Sequence, residues 1–240
     1  MKRQILITND DGIGAEGIHT LARIAGGFGE VTVIAPDSQR SAVSHHCIFS
    51  RPLMLKEYDF GLDGVKAFSL DGTPADCVRI GIRAMGERKP DVVLSGINHG
   101  FNISSDIQYS GTVGAALEAD FQGVHSIAVS CGNCDFSAAD IVDWYLPGLL
   151  EEYMDAPLPA GQVWNINFPD CRAEECRGIR RGVKMNASHF YDNEYSMEKI
   201  EDGTWSVSSQ VRRNWDGPED SDLYAVVHGF IAVGTVKNLE

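Results

Sequence analysis

No stretch of this chain approaches the run of roughly 20 apolar residues that a helix needs to cross a bilayer. A secretory leader pattern is missing too. Met1-Lys2-Arg3 is basic, but the apolar run behind it ends at Ile7, and Asp10 follows at once. The expectation is a soluble, cytoplasmic protein with no membrane partner. Positive charge is scarce: 20 Lys and Arg stand against 34 Asp and Glu, for a net charge of −14. Such a surface repels phosphate backbones, which argues against a nucleic-acid polymer as partner. An anionic substrate would then need a local counter-charge, and a bound metal cation supplies one. The chain also lacks internal repeats and low-complexity tracts. Its first strand–helix turn, NDDGIGAEG, lacks G-x-G-x-x-G in the required place, and its paired carboxylates would repel a pyrophosphate. A dinucleotide-dependent oxidoreductase is therefore disfavoured.

Cysteine is present but sparsely patterned. Cys131 and Cys134 have CxxC spacing, Cys171 and Cys176 are further apart, and the gap between the pairs is too long for a ribbon-type zinc site. Reduced structural thiols are expected. The 240 residues, 43% hydrophobic, suffice for one large domain or two small ones.

The first half alternates apolar runs with amphipathic segments. Strands are expected at 5–8, 31–35, 65–70, 91–95 and 126–130, and helices at 17–26, 76–85 and 112–120. Thr73 is positioned to cap the second helix, with Pro74 at its first turn. Alternation of this kind implies an α/β fold: a Rossmann-like, doubly wound, mostly parallel sheet covered by helices on both faces. Later strands are expected at 163–167 and 230–236. Between them, 195–200 and 205–211 flank an Asp-Gly turn and read as a β-hairpin. A hairpin bearing Tyr195, Trp205 and Val207 buries little alone. It is expected to pack on another subunit, the alternative being that it folds back on its own core. The expected organisation is a core over residues 1–185, an oligomerisation arm over 186–227, and a returning strand over 228–240.

In such sheets ligands bind beyond the carboxyl ends of the strands. Three loops, bearing Asp10 and Asp11, Ser41, and Asn98, fall there, and a fourth segment opens a helix. Asn9-Asp10-Asp11-Gly12 ends the first strand. Two adjacent carboxylates can share a ligand only where the strand has ended and the chain turns, and a hard divalent cation would relieve their repulsion. A simple turn capping a helix start remains the alternative. Ala35-Pro36-Asp37-Ser38-Gln39-Arg40-Ser41-Ala42 follows the second strand and offers the Ser41 hydroxyl, with Arg40, His45 and His46 nearby. Ser95-Gly96-Ile97-Asn98 offers the Asn98 amide oxygen. Tyr109-Ser110-Gly111-Thr112-Val113 opens a helix whose free N–H groups suit a phosphate, although plain N-capping by Ser110 explains it equally well.

Together, NDDG, APDSQRSA, SGIN and YSGTV, in this order, resemble the SurE stationary-phase survival family, and GTPADCV and NINFP resemble further family segments. The likeness runs from Ile5 to Thr235. It implies a divalent metal, Mg²⁺ or Mn²⁺, held by Asp10, Asp11, Ser41 and Asn98. It also implies hydrolysis of nucleoside monophosphates to nucleoside and phosphate, as a 5′-nucleotidase with short polyphosphate as a further substrate. The implied assembly is a homodimer or homotetramer with an exchanged arm. The chain departs from the family's usual pattern at Ser44-His45-His46 and through residues 186–221, and it runs only to Glu240 where many members continue into a helix.

The expected chemistry follows. Asp10 or Asp11 takes the proton of an attacking water. Ser110, Gly111 and Thr112, with Asn9 and Asn102, hold phosphate oxygens. Arg40 or His45 is the candidate to stabilise the leaving alkoxide. Ser41 has no evident base beside it and is read as a ligand, not a nucleophile. The rival reading is a nucleotide sensor or scaffold that binds metal and phosphate without turnover.

Overall fold

The computed structural model describes residues 2–83, 88–134, 136 and 141–238. Its strands are β1 (Gln4–Thr8), β2 (Glu30–Pro36), β3 (Leu55–Glu57), β4 (Lys66–Leu70), β5 (Val92–His99), β6 (His125–Cys131), β7 (Gln162–Phe168), β8 (Ile179–Val183), β9 (Tyr191–Glu201), β10 (Thr204–Arg213) and β11 (Ile231–Lys237). The helices are α1 (Glu16–Ala25), α2 (Pro74–Arg83), α3 (Gly111–Phe121), α4 (Ile141–Tyr153) and α5 (Asp222–Val227), with 3₁₀ turns at Ser104–Tyr109 and Ala173–Glu175.

Nine strands form one sheet in the order β3-β4-β2-β1-β5-β6-β7-β11-β8. The run from β4 to β7 is parallel throughout, while β3 and the β7–β11 pairing are antiparallel. This is the mostly parallel α/β sheet expected from the alternation of elements. The chain winds outward from β1 to β2 and β4, then returns to β5 on the other side of β1. The switch point therefore lies between β1 and β5, where a crevice opens at the carboxyl ends.

Side-chain alternation explains how β1 is buried on both faces. Ile5 and Ile7 pack with Ile18 and Leu21 of α1 and Leu146 and Leu149 of α4. Leu6 points the other way, into a cluster with Cys77 and Val78 of α2 and Ala115 and Ala119 of α3. The central strands β5 and β6 are almost wholly buried, as double coverage requires. Helix α2 begins as expected: Asp76 N–H donates to Thr73 Oγ1 at 3.1 Å, and Thr73 N–H donates to the Asp76 carboxylate at 3.0 Å. This reciprocal pair satisfies two donors that the helix start would otherwise leave unbonded. The expected end of that helix at Met85 lies outside the described residues, as do residues 239 and 240 of the last segment.

Four elements were not legible as pattern. Strands β3 and β8 are short and only partly buried. Helix α4 carries Pro147 within it, which reads as a breaker. Helix α5 has six residues inside a polar tract. One pair of cysteines differs from expectation: Cys131 and Cys134 are joined in a disulfide, with Cα atoms 5.8 Å apart, while Cys47, Cys77, Cys171 and Cys176 are thiols as expected. The CxxC spacing lets the chain turn back on itself just past the end of β6.

The hairpin β9–β10 forms a separate two-stranded sheet, turned at Asp202-Gly203, with Gly203 at φ 83°. Its root packs on the core at Tyr191, while much of its length is exposed. Tyr195, Met197, Ile200 and Val207 are each more than half exposed. Among the described residues, no helix is long and apolar enough to cross a membrane.

Candidate active site

At the switch point a cavity of about 640 Å³ is lined by Asp10, Asp11, Ser41, Asn98, Asn102 and Ser110, with a second wall from His189, Tyr191, Asp192, Asn193 and Tyr195. Three loops meet there because β2, β1 and β5 are parallel neighbours that end on the same side of the sheet.

The β1 loop is built by its own polar groups. Asn9 is buried, and its amide closes the turn, donating to Gly12 O at 2.9 Å and accepting Gly12 N–H at 3.2 Å. Gly12 has φ 98°, a backbone state that an L side chain would strain. Asn9 thus shapes the loop and is absent from the cavity wall, unlike the phosphate contact expected of it. Asp10 and Asp11 both line the cavity from this turn. Asp10 is 5% exposed. Burial, then the neighbouring Asp11 charge, outweigh the hydrogen bond from Thr112 and push the Asp10 carboxyl up to about 6. Asp11 accepts the His99 N–H at 3.0 Å through Oδ2, which ties it to the end of β5.

Helix α3 enters against Asp10. The Thr112 hydroxyl donates to Asp10 Oδ1 at 2.5 Å, so that hydroxyl orients the carboxylate and is not left for a phosphate. Ser110 is the N-cap: its Oγ accepts Val113 N–H at 3.0 Å, and it also lines the cavity. Capping and ligand contact are thus compatible, since the hydroxyl proton remains to be given. A Cβ added to Gly111 would lie 2.9 Å from the Asp10 Cβ and 3.0 Å from its Oδ2. Only glycine lets the helix start come this close.

The Ser41 loop is pinned at several points. Arg40 N–H donates to Asp10 O at 2.7 Å, Ser44 N–H to Tyr109 O at 3.0 Å, and Thr73 Oγ1–H to His46 O at 2.5 Å. His45 Nε2 meets the buried Glu118 carboxylate at 2.7 Å, and Arg79 meets the same carboxylate at 2.9 Å. Burial pushes Glu118 up, but the His45 and Gln122 hydrogen bonds and the Arg79 charge prevail and hold it below its ordinary range. Arg40 bonds to Gly72 O and Asp37. Neither Arg40 nor His45 lines the cavity, so the structure turns both expected leaving-group residues away from it.

Asn98 donates its amide N–H to Gly100 O at 2.8 Å, which leaves its carbonyl oxygen for a ligand. Asn102 is fixed from β7: its N–H donates to Asn167 Oδ1 at 2.8 Å, and its carbonyl accepts from Asn165 and Asn167 at 2.9 and 3.0 Å. Its own amide donates to Ser130 Oγ at 2.8 Å. The NINFP segment therefore serves the site through Asn102.

The donor set fits a hard divalent cation. All four candidate ligands offer oxygen, and two crowded carboxylates, one buried enough to resist ionisation, are what such a cation would relieve. Among the described residues, no group of three or more His, Cys, Asp or Glu is arranged to hold a metal. The candidate set contains only two such residues, with Ser and Asn completing it. The second cavity wall was missed in the sequence. His189, Tyr191 and Tyr195 carry no spacing that ties them to the site residues far earlier in the chain.

Comparison with known proteins supplies the family. The model of the family described as survival protein SurE matches residues 5–192. The chain is 38% identical to a 5′-nucleotidase SurE of Carboxydothermus hydrogenoformans, over 97% of this chain and 89% of that one. It is 35% identical to a 5′-nucleotidase SurE of Flavobacterium johnsoniae, over 98% and 91%. The fold is similar to the crystal structure of the SurE protein from Aquifex aeolicus, with a TM-score of 0.83 and 32% identity over 98% of this chain and 94% of that one.

Proposed function

This chain belongs to the SurE family, and from that premise we propose that it is a divalent-metal-dependent phosphomonoesterase, a 5′-nucleotidase that hydrolyses nucleoside monophosphates to nucleoside and phosphate. Short polyphosphate is included as a further substrate. The observation that carries the reading is the convergence of Asp10, Asp11, Ser41 and Asn98 on one cavity at the switch point of the sheet. Relatives spanning nearly the whole chain bear the name 5′-nucleotidase.

Asp10, Asp11, Ser41 and Asn98 would hold Mg²⁺ or Mn²⁺. When bound, the cation neutralises phosphate oxygens and makes a bound water more acidic. The protein's own groups do the rest. The phosphoryl group would be met at the start of α3 by the Ser110 hydroxyl, which lines the cavity; Gly111, expected to share that contact, is not part of the cavity wall and serves by letting the helix start approach Asp10. Asn102, clamped by Asn165 and Asn167, adds a donor. Thr112 and Asn9 act one step back, by fixing the Asp10 carboxylate and the loop that presents it. One of the two carboxylates accepts the proton of the attacking water. Positioning and charge stabilisation of this kind are the main contributions a protein makes to phosphoryl transfer.

The hairpin is read as the arm exchanged between subunits of a homodimer or homotetramer. Its exposed Tyr195, Met197, Ile200, Trp205 and Val207 support that reading.

The test is phosphate release from AMP in the presence of Mn²⁺ or Mg²⁺, with and without chelator. Metal-dependent release is expected. Binding of AMP with no release in either metal would replace this reading with the sensor or scaffold one.

A further inference from the structure

We propose that His189 is the acid that protonates the leaving oxygen, with Asp106 as its positioning residue; the proposal rests on the phosphomonoesterase reading above. A nucleoside leaves as a strongly basic alkoxide, so the reaction gains from a proton donor opposite the attacking water. With Arg40 and His45 both bonded away from the cavity, the imidazole among the cavity-lining residues that is anchored by a carboxylate is His189.

His189 lies in the loop that leads into β9. Its Nδ1 is 3.0 Å from Ser105 Oγ and 3.2 Å from Asp106 Oδ1. Asp106 is well placed to act as the fixed partner. Its side chain is 11% exposed, and its other oxygen accepts the N–H groups of Phe190 at 2.6 Å and Tyr191 at 2.9 Å. Ser105 N–H donates to Ser188 O at 3.3 Å, strapping the loop to the 3₁₀ turn that leads into Ser110 and α3. The element that carries the proposed phosphate site thus also carries the anchor of the imidazole. A carboxylate at Nδ1 sets the ring so that Nε2 is the edge presented to a ligand, as in other histidine–carboxylate pairs that handle protons. Tyr191 supports the same wall: its hydroxyl and the Asn98 amide each lie 3.7 Å from where a Gly100 Cβ would be. The root of β9 therefore reaches the ligand end of the cavity.

The step balances as follows. The bond from the water oxygen to phosphorus forms while the bond from phosphorus to the ester oxygen breaks. The electron pair of the broken bond stays on the ester oxygen, which takes the proton from Nε2 of the imidazolium. The ring is left neutral, with Nδ1–H on Asp106. The proton that the water gives to the carboxylate pair passes to solvent, and solvent reprotonates the ring.

The experiment compares kcat/KM of wild type, His189→Gln and His189→Ala on AMP, phenyl phosphate and p-nitrophenyl phosphate, with melting curves as a folding check. His189 is more than half exposed, so both variants are expected to melt with the wild type. Phenyl and p-nitrophenyl phosphate have nearly the same shape, but phenoxide is the poorer leaving group and needs the proton more. The expected loss is about 10²-fold on AMP, smaller on phenyl phosphate and smallest on p-nitrophenyl phosphate. No loss on AMP overturns the proposal. So does a loss on AMP with an unchanged ratio between the two aryl esters, which would make His189 a nucleoside contact only. Wild type inactive on all three esters overturns the phosphomonoesterase reading itself.

Discussion

The hydroxyl of Thr112 donates a 2.5 Å hydrogen bond to Oδ1 of Asp10. The first turn of α3 is thereby locked to the loop after β1. Removing that donor frees the carboxylate to rotate and leaves it buried with one partner fewer. Thr112→Val is expected to lower metal affinity or turnover about 10- to 100-fold, the usual cost of losing a group that orients a ligand. Thr112→Ser keeps the donor and is expected to retain most activity. Titration of activity against Mn²⁺ concentration for both variants checks this.

Asp10→Asn and Asp11→Asn are each expected to reduce turnover by at least ~10³-fold, on the scale of other lost electrostatic catalytic groups. Stability should move the other way for Asp10. Burial pushes its folded carboxyl up to about 6, above the ordinary carboxylate value of 3.8. In metal-free protein its stabilising contribution is therefore full below the unfolded value and lost as pH rises through about 6, leaving a penalty of about 3 kcal/mol at neutral pH. Metal-free Asp10→Asn is expected to melt at or above wild type at pH 7, and added Mn²⁺ should raise the melting temperature of wild type only. Scanning calorimetry with and without metal reads both effects.

Glu118 holds His45 and Arg79 and so supports the Ser41 loop. Its folded carboxyl is held below the ordinary range. Its contribution is thus present above the unfolded value and is lost as pH falls through the folded one. Wild type should therefore lose stability more steeply on acidification than Glu118→Gln, while at pH 7 the variant should be less stable by about 2 kcal/mol, the scale of hydrogen bonds to a charged group. Urea unfolding across a pH series tests the sign.

Deleting residues 194–211 removes most of the hairpin while leaving Asp106 and His189 in place. The expected result is dissociation to a smaller species in light scattering. An unchanged mass would contradict the exchanged arm.

Much of this molecule could be read from the chain. The strands around β1 and β5 are continuous apolar runs punctuated by Gly, Pro and Asp and alternating with helical segments, so a parallel sheet and a common exit side could be read, whereas the order of the strands could not. That is why the loops bearing Asp10, Asp11, Ser41 and Asn98 could be brought together from the sequence. The individual jobs of neighbouring residues were less visible. Whether Thr112 meets a phosphate or Asp10, and whether Asn9 faces the cavity or Gly12, depends on side-chain direction within one turn. Residue type does not encode that. Helix α4 was hidden by Pro147. The far wall was hidden for another reason: Asp106 and His189 are brought together only by the docking of one loop on a 3₁₀ turn, a contact across 83 positions that no periodicity announces.

The central claim is that one divalent cation sits among Asp10, Asp11, Ser41 and Asn98. Anomalous diffraction from Mn²⁺-soaked crystals tests it most directly. A single strong peak within coordination distance of those four side chains is predicted; well-ordered crystals with no peak there, or with the peak elsewhere, would contradict it.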